Sequence, residues 1–106
     1  MYAQLTYFDG PRGPEQLAAA DFAAKQRITP AALSVPGNIA TYVLRRADGA
    51  EVVVSIAESE QVLIDTQKAI MSTQLLPGED AALLRGADRV EIYPVLQVVE
   101  YDGGQS

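Results

Sequence analysis

The chain contains no histidine, no cysteine and no tryptophan. Without cysteine there are no disulfides, no thiolate nucleophile and no thiolate metal site, which fits a reducing compartment. Without histidine as well, the Ser–His and Cys–His arrangements of nucleophilic catalysis are excluded. Only carboxylates and carbonyls remain as metal ligands, and these suit hard cations. Asp9, Glu58, Asp65, Glu79 and Asp80 are scattered without the spacing of a calcium loop, so no metal site is expected, and the Glu79-Asp80 pair reads as a solvated loop. Positive charge is scarce too: 8 Lys and Arg against 14 Asp and Glu give a net charge of -6. That balance lacks the footprint of a protein that binds nucleic acid or an anionic membrane. The one adjacent basic pair, Arg45-Arg46, reads as a solvated strand end. No apolar run approaches the ~20 residues needed to cross a bilayer. Met1 to Leu5 lacks the basic start and apolar core of a signal peptide, and a cytoplasmic location is expected. Gly10, Gly13 and Gly37 do not have the spacing of a phosphate-cradling loop.

What the chain does have is an order of patterns. Its 106 residues suit one domain, of which 48% is hydrophobic and 21% charged. Residues 1–101 carry the patterned part. Residues 102–106, Asp-Gly-Gly-Gln-Ser, lack apolar anchors and are expected to form a flexible tail. Tyr2 to Phe8 alternates as a strand and is stopped by Asp9-Gly10-Pro11. Pro14 and Glu15 suit the first turn of a helix, with Leu17, Ala20, Ala24 and Ile28 as its apolar stripe and Asp21 and Lys25 spaced to pair on its flank. Pro30 is expected to end or kink this helix at Thr29. Ile39 to Arg46 and Glu51 to Ala57 form two strands joined through Asp48-Gly49, the strongest hairpin signal in the chain. Ser59 is the expected cap of a second helix, whose face carries Leu63, Thr66, Ile70 and Thr73. A short helical turn is expected at 81–84, and Val90 to Glu100 reads as the last strand, with Pro94 marking an edge or a bulge.

The order β-α-β-β-α-β predicts an α+β, ferredoxin-like sandwich: a four-stranded antiparallel sheet, strand order 4-1-3-2, with two helices on one face. Both faces of strands two and three are largely apolar. Helices can cover only one, so the open face calls for a partner, and a two-fold homodimer buries the same patch twice.

Val35-Pro36-Gly37, the Asp48-Gly49 hairpin, the strand Val52-Val53-Val54-Ser55 and then Glu58-Ser59-Glu60 resemble the pattern of antibiotic biosynthesis monooxygenase-like domains. These belong to the dimeric α/β barrel superfamily. The resemblance implies a homodimer through the open sheet face and a small-molecule ligand held between sheet and helices. It also implies a monooxygenase without a bound cofactor, acting on a small or aromatic metabolite. Two departures stand out. Ile56-Ala57 precede Glu58 where many members carry an aromatic residue, and the histidines that haem-degrading relatives use are missing. The alternative is therefore a non-catalytic dimeric barrel that binds a metabolite or has a stress-related accessory role.

Cofactor-free oxygenation needs a desolvated, oriented anionic substrate and a group to move its proton. Tyrosine, arginine and amide side chains suit that work. The substrate-binding candidates are Tyr7, Arg27, Asn38, Tyr42, Gln67, Met71 and Tyr93. Alternation also puts Gln4, Thr6, Thr41 and Ser55 on one sheet face. No residue is assigned as catalytic.

Overall fold

The computed structural model describes residues 1–101; the expected tail at 102–106 lies outside the described residues. The strands are β1 (Tyr2–Phe8), β2 (Asn38–Arg45), β3 (Glu51–Ala57) and β4 (Arg89–Pro94). They form one antiparallel sheet in the order β2-β3-β1-β4, the order that two right-handed crossovers require. The helices are α1 (Pro14–Ala23), α2 (Thr29–Leu33) and α3 (Glu60–Met71), with a 3₁₀ turn at Ala81–Leu83. The fold is the ferredoxin-like α+β sandwich that the pattern predicts. Among the described residues no helix is long and apolar enough to cross a membrane.

Local signals act as expected at the two tightest points. Gly49, at φ +92°, turns the β2–β3 hairpin and donates its N–H to the Arg46 carbonyl. The Ser59 hydroxyl accepts the Val62 N–H at 3.3 Å and so caps α3.

Pro30 does not stop the first helical run. The chain passes through one wider π turn, Ala24–Ile28, in which the Thr29 N–H reaches back to the Ala24 carbonyl. Pro30 then sits in the first turn of α2, where its missing N–H leaves no gap in the ladder. The expected Asp21–Lys25 pair is also replaced. Asp21 instead takes Arg45 across the layers, with Arg45 Nη2 at 2.6 Å from Oδ1 and Nη1 at 3.2 Å from Oδ2. Arg45 stays exposed at the strand end, as expected, but is ion-paired rather than free. It also reaches Glu51, and Glu51 in turn receives Arg12 at 3.1 Å. This hydrogen bond with Arg45 is the main reason that the Asp21 carboxyl is held below its ordinary pKa.

The register identifies the two sheet faces. One carries the rows Thr41–Ser55–Gln4–Ile92 and Val43–Val53–Thr6–Val90, flanked by Asn38, Ala57, Arg45 and Glu51. The ties from Arg45 to Asp21 and from Asn38 to Thr66 show that the helices lie over this face. Ala57, fully buried, marks its packed end. The opposite, open face is built from three rows: Ala40–Ile56–Ala3–Tyr93, Tyr42–Val54–Leu5–Glu91 and Leu44–Val52–Tyr7–Arg89. Only Arg89 and Glu91 interrupt its apolar surface. Tyr42, Leu44 and Tyr93 each keep more than half of their surface exposed.

The last strand ends earlier than its sequence pattern predicts. β4 stops at Pro94, and the next residue, Val95, donates its N–H to the Met1 carbonyl at 2.9 Å. The rest of the run, as far as Tyr101, lies outside the ladder.

Candidate functional site

The helix-facing side of the sheet is unusually accessible for a covered surface. Val43, Val90 and Ile92 point toward the helix layer yet are 58%, 51% and 37% exposed. Even in the centre, Gln4, Thr6, Val53 and Ser55 are only half-buried. The helices thus leave a shallow, partly uncovered trough over the sheet, open chiefly along the edge strands β2 and β4. Its floor is apolar along the Val43–Val53–Thr6–Val90 row and polar along Thr41–Ser55–Gln4. Gln4 Nε2 lies 3.4 Å from the Thr6 hydroxyl, so the polar groups form a line rather than isolated points. Such a floor can lay an aromatic ring on valine side chains and turn its oxygen substituents toward hydroxyls and an amide. It carries no ionisable group beyond the rim.

One side of the helix layer is held by Arg27. Its Nε and Nη2 contact the Glu79 carboxylate at 2.9 and 3.1 Å, and Nη1 donates to the Thr73 hydroxyl at 2.8 Å. Glu79 also accepts the Leu76 N–H at 2.7 Å. Its side chain is 1% exposed, so the expected solvated loop residue is instead covered by its partners at the wall of a surface depression. The hydrogen bonds from Arg27 and then from the Leu76 backbone hold its carboxyl below the ordinary range. The other half of that pair, Asp80, caps the 3₁₀ turn through the Ala82 N–H. Between α1 and this loop lies a depression of about 410 Å³ bordered by Glu15, Phe22, Asp80 and Leu83.

The seven sequence candidates do not gather at one place. Tyr7, Tyr42 and Tyr93 stand on the open face, away from the trough. Tyr7 is stacked under Arg89, whose guanidinium carbon is 3.8 Å from the ring centroid, at the edge of a second depression of about 390 Å³. The close approach of Tyr7 is the main cause that raises the Arg89 pKa. Asn38 is a joint: its Nδ2 donates to the Ala32 carbonyl at 3.2 Å, the Val35 carbonyl at 3.3 Å and the Thr66 hydroxyl at 2.9 Å. Gln67 and Met71 lie on an exposed flank of α3 with Ile64. Arg27 is engaged as described. The trough floor itself comes from Gln4, Thr6, Thr41 and Ser55, the further polar candidates that alternation put on one face. The signal was present in the period-2 pattern, and only the side on which the helices pack was missing.

Among the described residues no group of three or more acidic side chains is assembled to hold a metal ion. No protein-family profile and no curated protein matches the chain. Solved structures do. A MhuD variant with two manganese protoporphyrin IX molecules per active site superposes with a TM-score of 0.66 at 17% identity, covering 95% of this chain and 100% of that one. The ActVA-Orf6 monooxygenase of Streptomyces coelicolor, in complex with nanaomycin D, gives 0.57 at 19% identity over 95% and 90% of the two chains. SnoaB of Streptomyces nogalater, a cofactor-independent oxygenase, gives 0.53 at 17% identity over 94% of each. Sequence order, sheet topology and these superpositions agree that the chain has the fold of an antibiotic biosynthesis monooxygenase-like domain.

Proposed function

We propose that this protein is a homodimeric, cofactor-independent monooxygenase-like enzyme that holds a small hydroxyaromatic compound in the trough between sheet and helices. The observation that carries the reading is the accessible, half-polar floor beneath the helix layer, in a fold shared with named oxygenases. Gln4, Thr6, Thr41 and Ser55 would orient the oxygen substituents, and Val43, Val53, Val90 and Ile92 would exclude water from the ring. The substrate supplies the electrons and dioxygen accepts them. One oxygen atom enters the ring, the other leaves as water, and a hydroxyarene becomes a quinone.

A haem reading is disfavoured by the donor set. The MhuD variant shares the fold with its porphyrins bound, but this chain has no imidazole or thiolate to serve as an axial ligand.

The open sheet face supports the homodimer. Three rows of mainly apolar side chains, with three tyrosines among them, make a surface larger and greasier than a soluble monomer normally leaves bare. On this reading Tyr7, Tyr42 and Tyr93 are interface residues, and Arg27 and Asn38 support the layer that roofs the trough. The test is oxygen uptake with a panel of hydroxylated naphthalenes and anthracenes, run beside ligand-induced shifts in Tm. Turnover or binding that is lost when the trough is filled supports the enzyme. Binding without oxygen uptake favours the alternative, a metabolite-binding or stress-related accessory barrel. Neither binding nor uptake across the panel overturns both.

A further inference from the structure

The polar line on the trough floor is made of groups that can exchange roles. Thr41, Ser55 and Gln4 stand side by side on β2, β3 and β1, with Thr6 in the next row. A hydroxyl donates one hydrogen bond and accepts others, and a side-chain amide does both. Gln4 Nε2 is directed to the Thr6 oxygen at 3.4 Å, which leaves the Gln4 carbonyl oxygen and the Thr6 hydroxyl proton for a ligand. Such a line serves a hydroxyl that donates, and equally the carbonyl that replaces it when a hydroxyarene becomes a quinone. Three adjacent strands spread the row over roughly 10 Å, the length of a fused two- or three-ring system.

The same floor offers nothing to a negative charge. The chain has 8 Lys and Arg, and each is placed elsewhere. Arg12 and Arg45 are neutralised by Glu51 and Asp21 at the hairpin end. Arg27 is taken by Glu79, and Arg85 by Asp88 and the Asp9 carbonyl. Arg89 lies on Tyr7 on the open face, and Arg46 borders the same depression. Lys25 and Lys68 are exposed residues of the helix layer. A carboxylate held over the central rows would therefore lose water without gaining a counter-ion, in a chain whose net charge is already -6. A phenol escapes that cost, because at neutral pH it enters with its proton on and forms its charge only in the course of the reaction.

We infer that the trough selects uncharged fused-ring polyphenols and rejects relatives that carry a carboxylate, sulfonate or phosphate. This names the substrate class of the proposed oxygenase and rests on that reading. Recognition comes from neutral groups alone: valines under the rings, and hydroxyls and one amide along their oxygen-bearing edge. Selection comes from the missing counter-ion, since a buried charge without a partner costs more than any single hydrogen bond returns.

Three probes with one ring system decide it: a dihydroxynaphthoic acid, its methyl ester and its primary amide, each titrated into the full chain by calorimetry. The ester and the amide should bind at least tenfold more tightly than the acid. The gap should survive about 0.5 M salt, which screens repulsion by the surface but not the loss of water at the floor. Ile92 ends the polar row beside Gln4 and is 37% exposed, so the position can take a longer side chain. Ile92→Arg should raise the affinity for the acid at least tenfold, and Ile92→Gln should not. If the arginine variant does not fold by circular dichroism, the wild-type comparison decides alone. Three results overturn the inference and leave the trough standing as the binding site: equal binding of acid and ester, a gap that closes in salt, or a folded Ile92→Arg that holds the acid no better than Ile92→Gln. No binding by any of the three probes overturns the trough reading and the inference with it.

Discussion

Arg27 grips Glu79 with two parallel contacts, Nε to Oε2 at 2.9 Å and Nη2 to Oε1 at 3.1 Å. The pair joins the π turn after α1 to the loop before the 3₁₀ turn, residues 52 apart in sequence. Its geometry is the planar fork on a carboxylate that makes arginine unlike lysine here. Removing one partner leaves the other covered by the loop without its counter-charge. Arg27→Ala should lower Tm by several degrees, and Arg27→Lys should recover only part of it, because an ammonium cannot make both contacts and reach Thr73.

The same pair has a pH signature. The folded carboxyl of Glu79 titrates below its unfolded value, so its stabilisation is complete above about pH 4.5 and is lost as pH falls through the folded pKa. Glu79→Gln should therefore be less stable than wild type at pH 7, with the gap closing in acid. Thermal unfolding from pH 7 to pH 3 measures this, and a gap that stays constant with pH would show that the charge of Glu79 is not what stabilises the loop.

Asn38 offers a sharper test of its three donor contacts. Asn38→Asp replaces the amide with acceptors that face the carbonyls of Ala32 and Val35. The cost should be about 1–2 kcal/mol at pH 7, reduced at low pH when the new carboxyl can donate a proton to one of them. Asn38→Ala, which loses the bonds but adds no repulsion, should fall between wild type and Asp. Urea unfolding resolves the order.

What could be read from the sequence was what its neighbours in sequence decide. Asp48-Gly49 turns because glycine tolerates positive φ, and Ser59 caps because its hydroxyl is three residues from an orphan N–H. Both are decisions within four residues. Pro30, Arg45 and Glu79 depend on partners that sequence spacing does not reveal. Pro30 is rescued by the π turn that ends two residues upstream, Arg45 is engaged by Asp21 and Glu51, and Glu79 by Arg27. The site followed the same division. Alternation sorted Gln4, Thr6, Thr41 and Ser55 from Tyr7, Tyr42 and Tyr93, but only packing shows which set lies under the helices.

The open face predicts the behaviour of a single central substitution. Val54 lies between Leu5 and Tyr42 in the middle row of that face. In a sheet-to-sheet dimer, Val54→Lys buries two ammonium groups, one per protomer, against apolar side chains. Dimerisation should weaken roughly 100-fold or more, on the scale of an interface hot spot, while far-UV circular dichroism keeps its strand signal. Sedimentation across a concentration series separates the outcomes. Wild type that already sediments as a monomer at micromolar concentration refutes the interface.

The trough makes the opposite demand on the same sheet. Val43 and Leu44 are adjacent on β2 and point to opposite faces, Val43 over the trough floor and Leu44 onto the open face. Val43 is exposed, so Val43→Trp adds bulk without displacing core and should leave Tm nearly unchanged. In the trough, however, the indole occupies the volume assigned to the substrate ring. Affinity for a hydroxyaromatic ligand should fall at least tenfold, about 1.4 kcal/mol, and any oxygen uptake should fall with it. Leu44→Met, one residue away on the other face, should leave both intact. Titration of the two variants with the same ligand decides where binding occurs. If Leu44→Met weakens binding and Val43→Trp does not, the ligand sits on the open face.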